Sequence, residues 1–87
     1  MKFRRQPRFD ENFAGLDAIS QKAIKKALRF LAHDWHHPSL RTKKMEGRDY
    51  IFEASANMDI RITFQFEKPD TIILRNCGRH DRTLNNP

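Results

Sequence analysis

The chain has 87 residues, of which 38% are hydrophobic, and it carries 17 lysine and arginine residues against 11 aspartate and glutamate residues. A chain of this length is expected to form a single domain over residues 1–87, with one core. No apolar run approaches the roughly 20 residues that cross a bilayer, and no apolar segment follows the basic N-terminus, which argues against a membrane protein or a signal peptide. The single cysteine, Cys77, rules out an intrachain disulfide and fits a reducing cytoplasm.

The first half of the chain predicts an edge strand followed by two helices. Residues 2–6 form the strand, which Pro7 stops because proline has no N–H to give to a ladder. Asp10 is expected to cap a short helix. Residues 18–34 form a longer helix, since apolar side chains recur there at three- and four-residue steps. The two helices meet near Leu16 and would form a hairpin that packs on a sheet.

The apolar stripe of the longer helix is read as core. Its predicted members are Ile19, Ala23, Ala27, Phe30 and Leu31. Such a stripe at helical spacing packs against the rest of the domain.

The second half of the chain predicts strands with short connections. The strands cover residues 40–45, 51–56, 60–67 and 71–77, with a tight loop at 57–59. Consecutive strands of this kind form an antiparallel meander. The fold class is therefore α+β: an N-terminal helical hairpin packed on a three- to four-stranded antiparallel sheet. Residues 82–87 are expected to form a frayed tail.

The strand at residues 60–67 alternates apolar and polar side chains. Its apolar members are Ile60, Ile62, Phe64 and Phe66, and its polar members are Arg61, Thr63, Gln65 and Glu67. Because side chains alternate across a strand, Arg61 is expected on the polar face of a sheet whose other face is core.

Positive charge gathers in three clusters, and the net charge is +6. The clusters are Lys2, Arg4, Arg5 and Arg8; then Arg41, Lys43, Lys44 and Arg48; then Arg75, Arg79 and Arg82. One cluster is ordinary solvated surface, whereas three on a short chain favour a shared basic face. Nucleic acid is the first candidate partner and an acidic protein the second.

Three stretches after the helical hairpin have the order and spacing of a known family. They are residues 37–47 (HPSLRTKKMEG), 59–64 (DIRITF) and 71–81 (TIILRNCGRHD). Arg61 and the run Gly78-Arg79-His80-Asp81 are their most specific parts. Together they resemble the RelE/ParE superfamily of bacterial toxin–antitoxin toxins. The resemblance implies the RelE-like fold, a four-stranded antiparallel sheet with an N-terminal helical pair.

The resemblance also implies a function. RelE-like members cut messenger RNA on the ribosome without a metal ion, so we expect an endoribonuclease with no cofactor, with the ribosome and messenger RNA as partners. A cognate antitoxin is expected to neutralise the toxin, which would be monomeric when free. Two alternatives stay open: a ParE-like inhibitor of DNA gyrase that cleaves nothing, and a non-toxic nucleic-acid-binding module.

Metal-free RNA cleavage needs proton transfer and a charge that stabilises the phosphoryl oxygens. Arg61 suits the charge, because a guanidinium can grip two phosphate oxygens, and it matches an arginine of RelE-like toxins. The alternative for Arg61 is a cross-strand pair with Glu53 or Glu67. His80 suits proton transfer, and Asp81 could orient it. Glu53 and Asp81 are the candidate bases.

Further basic residues are candidates to hold the RNA backbone, and these are Lys43, Lys44, Arg48, Arg75 and Arg79. The chain departs from the best-studied RelE-like toxins, because residues 51–56 contain no lysine and no tyrosine follows His80. A zinc site from His33, His36 and His37 with Cys77 or His80 is not expected, since the spacing fits no compact tetrahedral set.

Overall fold

The computed structural model describes all 87 residues, Met1–Pro87. In chain order the elements are β1 (Lys2–Arg5), α1 (Pro7–Ala14), α2 (Ala18–His33), a 3₁₀ turn (Pro38–Leu40), β2 (Lys43–Lys44), β3 (Phe52–Ser55), β4 (Ile60–Glu67), β5 (Thr71–Arg79) and α3 (His80–Asn85). The strands form one sheet in the order β1-β5-β4-β3-β2. The predicted α+β class is confirmed. None of the helices combines the length and the apolar character needed to span a membrane.

The core lies between one face of the sheet and the helices α1 and α2. Phe64 and Ile62 of β4 are fully buried there against Ile24 and Leu31 of α2. Burial of one such side chain contributes about 1.5–3 kcal/mol, so this layer contributes substantially to the stability. The predicted apolar face of α2 is correct at Ala27 and Leu31, which are buried.

The prediction of the apolar face is wrong at the start of α2. Ile19 is 77% exposed, and Ser20 and Ile24 take the buried positions instead. Burial is set here by how the helix rests on the sheet, so the apolar character of Ile19 does not decide it.

The helix α1 begins at Pro7, which corrects the prediction that Asp10 caps it. Proline is well suited to the first helical position, because its missing N–H has no partner there in any case. Asp10 lies inside the helix, where a carboxyl oxygen meets Arg5 Nε at 2.8 Å. Phe9 is the buried residue of α1 and joins the core.

The sheet is mixed, which corrects the prediction of a purely antiparallel sheet. β1 lies at the edge, as expected, but it pairs in parallel with β5, with Lys2 opposite Thr71 and Arg5 opposite Leu74. The two helices between β1 and the rest of the sheet allow this parallel return, which a tight hairpin could not make. The sheet has five strands because β1 and β2 both join it.

The strand predicted at residues 40–45 is much shorter. Pro38–Leu40 form the 3₁₀ turn, and only Lys43 and Lys44 pair with β3. Arg41 has a φ of 47°, a left-handed conformation that an extended strand does not contain.

The pairing of β4 with β5 contains one extra residue. Thr63 lies opposite Asn76, whereas Phe64 lies opposite Leu74, so Arg75 is an insertion in β5. Such a β-bulge changes which residues of a strand face each side. Leu74 and Cys77 both face the core, while Asn76 and Gly78 face the opposite side of the sheet, here called the open face.

The end of the chain is ordered, which corrects the prediction of a frayed tail. α3 packs on the open face, and Thr83 is only 1% exposed. The carbonyl of Pro87 accepts hydrogen bonds from Thr63 Oγ1 at 3.2 Å and Arg75 Nε at 3.0 Å. Asn76 Nδ2 donates to the Asn86 carbonyl at 2.8 Å. Side chains of the sheet therefore satisfy carbonyls beyond the helix, which the tail's own sequence does not reveal.

Replacement of Gly78 by alanine should destabilise the protein by about 1–3 kcal/mol, because its backbone lies in a region that favours glycine. Its φ is 146°, and an added Cβ would lie 3.0 Å from Thr83 Oγ1. Gly15→Ala is the matched control, since Gly15 has a φ of −83° and only ordinary contacts. Urea unfolding should show a change within about 0.5 kcal/mol for the control. Equal stability of the two variants would contradict the close approach of α3 to β5.

Candidate nucleic-acid site

A cleft of about 780 Å³ opens between α1, the turn after it, the end of β5 and α3. Most of its lining residues have polar or charged side chains, and the residues are Glu11, Asn12, Gly15, Leu16, Asp59, Asn76, Cys77, Gly78, Arg79, His80, Asp81, Arg82 and Thr83. The charged side chains among them can orient a ligand that itself has polar or charged groups.

His80 and Asp81 form a hydrogen-bonded pair at the rim of this cleft. His80 Nδ1 lies 2.9 Å from Asp81 Oδ1, and the backbone N–H of His80 donates to the Asp59 carbonyl at 2.8 Å. The His80 side chain is about half exposed. When Nδ1 carries the proton and donates it to Asp81, Nε2 is left free to exchange a proton with a ligand.

Arg79 and Arg82 place positive charge in the same cleft. Asp17, at the start of α2, stands close enough to Arg79 to feel its charge. The Ser20 hydroxyl, and to a smaller degree Arg79, hold the pKa of the Asp17 carboxyl below its usual value. Asp17 is therefore ionised at neutral pH. The cleft wall itself also contains the carboxyl groups of Glu11, Asp59 and Asp81, so the positive charge of Arg79 and Arg82 is local and does not extend over the whole cleft.

Arg61 lies at the same end of the sheet as His80 but does not line the cleft. It is opposite Gly78 in the β4–β5 ladder, so its side chain starts on the open face. Its Nη1 donates to the carbonyls of Asn57 at 2.7 Å and Met58 at 3.1 Å. One hairpin, residues 57–60, thus anchors both predicted groups, Arg61 through its side chain and His80 through its backbone.

The alternative cross-strand pair of Arg61 is not formed. Glu67 binds Arg4 instead, with two hydrogen bonds of 3.0 and 2.8 Å. Glu53 makes neither an ion pair nor a side-chain hydrogen bond and lies opposite Thr63 on the open face. Of the two candidate bases, Glu53 and Asp81, only Asp81 lines the cleft.

Lys43 and Lys44 point to opposite sides of the sheet. Lys43 lies opposite Glu53 on the open face, whereas Lys44 lies opposite Phe52, whose ring packs with the core. Both lysines are exposed, as is Arg48. The structure therefore does not gather the three into one cluster with His80.

Arg75 is the inserted residue of the bulge, and its guanidinium is engaged within the protein. It donates to Gln65 Oε1 and to the Pro87 carbonyl, and it lies 5.6 Å from the centre of the Tyr50 ring. These contacts tie the end of the chain to the sheet. Of the five candidate RNA-binding residues, only Arg79 lines the cleft.

Several cleft residues were missed from the sequence. Asn12 Nδ2 donates to Asn76 Oδ1 at 2.6 Å and joins α1 to β5 in the cleft wall. Nothing in the periodicity of α1 predicts this contact, because it depends on where the helix lies beside the sheet. Arg82 could have been found, since it follows directly after Asp81 and belongs to the third basic cluster.

The histidines outside the cleft have other contacts. His37 Nδ1 accepts the Ser39 N–H at 3.1 Å, and its ring stacks on Phe30 with the centres 4.1 Å apart. His36 lies against Trp35. No three side chains of histidine, cysteine, aspartate or glutamate converge as metal ligands would.

The shape of the chain matches solved structures of toxins. A YoeB/ParE toxin from Agrobacterium tumefaciens superposes with a TM-score of 0.78 at 12% identity, over 92% of this chain and 99% of that one. A chain of the RelB–RelE antitoxin–toxin complex from Methanococcus jannaschii gives 0.74 at 18% identity, over 100% of both chains. A metal-bound toxin from Helicobacter pylori gives 0.72 at 20% identity, over 94% and 97%.

The chain has the fold of the RelE/ParE toxins. No protein-family model matches its sequence, and no curated protein matches it either. At 12–20% identity the likeness is one of fold. The RelE-like fold expected from the sequence is thus confirmed, with a fifth strand added. Function has to be argued from the site, because one fold serves many functions.

The Cys77 thiol of this RelE-like fold should be inert in the native protein. Burial, and then the negative charge of Asp10, raise its pKa to about 12, so the thiolate is scarce at pH 8. An unfolded cysteine has a pKa of about 8.5, so we expect native alkylation to be roughly 100-fold slower or more. Labelling with iodoacetamide with and without urea measures the ratio. Equal rates would contradict the packing of Cys77 beneath α1.

Proposed function

We propose that the chain is the toxin of a bacterial toxin–antitoxin system and that it cleaves messenger RNA on the ribosome without a metal ion or cofactor. The observation that carries the proposal is the His80–Asp81 pair at the rim of a polar cleft that also holds Arg79 and Arg82. The fold supports it, since chains of the RelB–RelE complexes share it.

In the proposed reaction the 2′-oxygen of a nucleotide attacks its neighbouring phosphorus. The P–O5′ bond breaks, leaving a 2′,3′-cyclic phosphate and a 5′-hydroxyl. One proton leaves the 2′-hydroxyl and one reaches the departing 5′-oxygen. His80 Nε2 is the group proposed to exchange a proton with the RNA, because Asp81 accepts the hydrogen bond of Nδ1–H and stabilises the imidazolium.

Negative charge develops on the phosphoryl oxygens in the transition state, and nearby positive charge stabilises it. Arg79 and Arg82 supply this positive charge inside the cleft. Arg61 is proposed to bind the same phosphate from the side of the hairpin. Its hydrogen bonds to carbonyls all come from Nη1, so Nη2 and Nε remain free to grip two phosphate oxygens.

Lys43 is proposed to take the place of the lysines that β3 lacks. It lies on β2, one strand further out, but on the same face as Glu53 and Thr63. With Lys44 and Arg48 it would contact the RNA backbone, which gives affinity without sequence choice. Glu53, beside Lys43, is the second candidate base. Arg75 would contribute only after the end of the chain moves away from it.

The proposed partners are a cognate antitoxin, the ribosome and messenger RNA, and the proposed compartment is the cytoplasm. We propose that the toxin has a single domain, residues 1–87, and that it is a monomer when no antitoxin is bound. An excess of lysine and arginine, with a net charge of +6, supports both an acidic antitoxin and an RNA-rich particle as partners.

A second candidate function is a ParE-like inhibitor of DNA gyrase that cleaves nothing. One observation favours it: Nη1 of Arg61 is spent on closing its own hairpin, as a purely structural arginine would be. The absence of lysine from residues 51–56 favours the third alternative, a non-toxic nucleic-acid-binding module without catalysis.

Induction of the parent chain in bacteria should stop growth, and His80→Ala should relieve the arrest. Loss of a proton-transfer group costs roughly 10²–10⁴ in rate. The matched control is His33→Ala, since His33 is an exposed histidine of α2 outside the cleft. Growth curves and melting temperatures of both variants are measured together. Full toxicity of a folded His80→Ala variant would remove His80 from the reaction.

Arg61→Ala should also relieve the arrest, and it should lower the melting temperature slightly because the 57–60 hairpin loses its bonds to Nη1. Arg61→Lys separates the two effects, since a lysine can bond to the carbonyls but cannot grip a phosphate with two nitrogens. The lysine variant should keep stability and lose most of the toxicity. A fully toxic lysine variant would show that Arg61 only closes the hairpin.

Mapping of transcript ends after induction separates the two candidate functions. The nuclease proposal requires new 5′ ends inside open reading frames within minutes, and these ends should carry a 5′-hydroxyl. Intact transcripts together with broken or unresolved chromosomes would favour the gyrase inhibitor and reject the nuclease.

A further inference from the structure

The outer face of α2 carries a line of cations that the proposed reaction does not use. All of its members are exposed: Lys22, Lys25, Lys26 and Arg29. At about 100° per residue the four fall within an arc of about 100° on the helix surface. This arc lies opposite the buried Ile24, Ala27 and Leu31, so the four side chains, here called the α2 stripe, face the solvent together.

The α2 stripe has no compensating negative charge. The helix contains no aspartate or glutamate from Ala18 to His33. None of the four cations takes part in an ion pair, whereas Lys2, Arg4 and Arg5 of β1 each meet an acid. Like charges three and four residues apart repel each other by a few tenths of a kcal/mol, so a partner with negative charge would relieve this repulsion.

The chemistry of the stripe favours phosphate groups over an acidic protein. Interfaces between proteins bury apolar and aromatic residues at their centre, and the stripe contains none. The one large exposed apolar side chain of α2, Ile19, adjoins the stripe at its N-terminal end, one turn before Lys22, and is too small a surface for the centre of such an interface. Lysine and arginine contact phosphates without any apolar surface. Lys22 and Arg29 are about 10.5 Å apart along the axis, so the stripe spans several phosphates of one strand.

The stripe is separate from the cleft. Residues of α1, β5 and α3 line the cleft, and no residue of α2 does. A ligand on α2 therefore leaves the cleft open for a single strand. Double-helical RNA is recognised mostly by its shape and phosphates, which a row of exposed cations on a rigid helix can contact.

We propose that the α2 stripe docks on the phosphate backbone of double-helical RNA, apart from the cleft that would hold the strand to be cut. The choice of RNA rests on the proposed function. The binding itself does not, because the docking requires neither His80 nor cleavage. The two proposals can therefore fail separately.

The test is the salt dependence of binding to a 16-base-pair RNA duplex, measured by fluorescence anisotropy with the whole chain. The stripe variant combines Lys22→Gln, Lys25→Gln and Arg29→Gln. Lys26 is kept, since it also borders a small pocket beside Phe30. If each cation contacts one phosphate, the slope of log K against log salt should flatten by about 2–3.

The matched control combines Arg8→Gln, Arg41→Gln and Lys68→Gln, which removes the same charge from exposed positions without ion pairs. Its slope should flatten by less than about 1. Melting temperatures show that both variants are folded. Equal flattening in the two variants would mean that net charge alone binds RNA, and it would overturn the docking surface, as would an unchanged slope in the stripe variant.

Two further ligands decide between partners. A poly-glutamate chain of matched charge represents an acidic protein, and a DNA duplex of the same sequence represents DNA. A stripe variant that loses poly-glutamate or DNA binding while it keeps the parent's slope on RNA overturns the proposal. Stripe-dependent RNA binding by a chain that cuts no messenger RNA would uphold the docking surface and reject the nuclease.

Discussion

The inserted residue Arg75 in β5 is the constraint on which the rest of the structure depends. Without it the side chains of β5 would alternate regularly, and Asn76 and Gly78 would face the core beneath α1 and α2. With it Cys77 takes the core position, and Asn76 and Gly78 face α3. The bulge thus decides which way the chain leaves the sheet, and with it where His80 and Asp81 lie.

Packing of α3 follows from the bulge. Gly78 has no side chain, so Thr83 can approach the strand closely, and Thr63, Arg75 and Asn76 then satisfy the carbonyls at the end of the chain. As a consequence, the half-buried Arg75 guanidinium is engaged by Gln65 and the Pro87 carbonyl and is not free to bind a ligand. In this position α3 forms a second wall of the cleft, opposite α1. Arg75 therefore stabilises the fold and is not available for the proposed binding of RNA.

Sequence patterns predicted the elements that local physics determines. The alternation of residues 60–67 predicted β4 and its apolar face correctly, and apolar spacing predicted the two helices, although the first begins at Pro7 and is not capped by Asp10. The sequence patterns did not predict the parallel pairing of β1, the bulge in β5 or the ordered helix α3, because each depends on contacts between distant residues. The same reason explains the site. Arg79, His80 and Asp81 are adjacent in sequence and line the same cleft. Lys43, Lys44 and Arg48 lie far from them in sequence, and the fold does not bring them to the cleft.

The central claim is that a single RNA strand binds at the end of the sheet, between the 57–60 hairpin and the cleft. An NMR titration of the labelled chain with a short 2′-O-methyl RNA, which binds but has no nucleophile, tests it directly. The account predicts that the largest shifts fall on the amides of residues 57–61 and 79–82. Saturable binding that leaves both of these segments unmoved would contradict it.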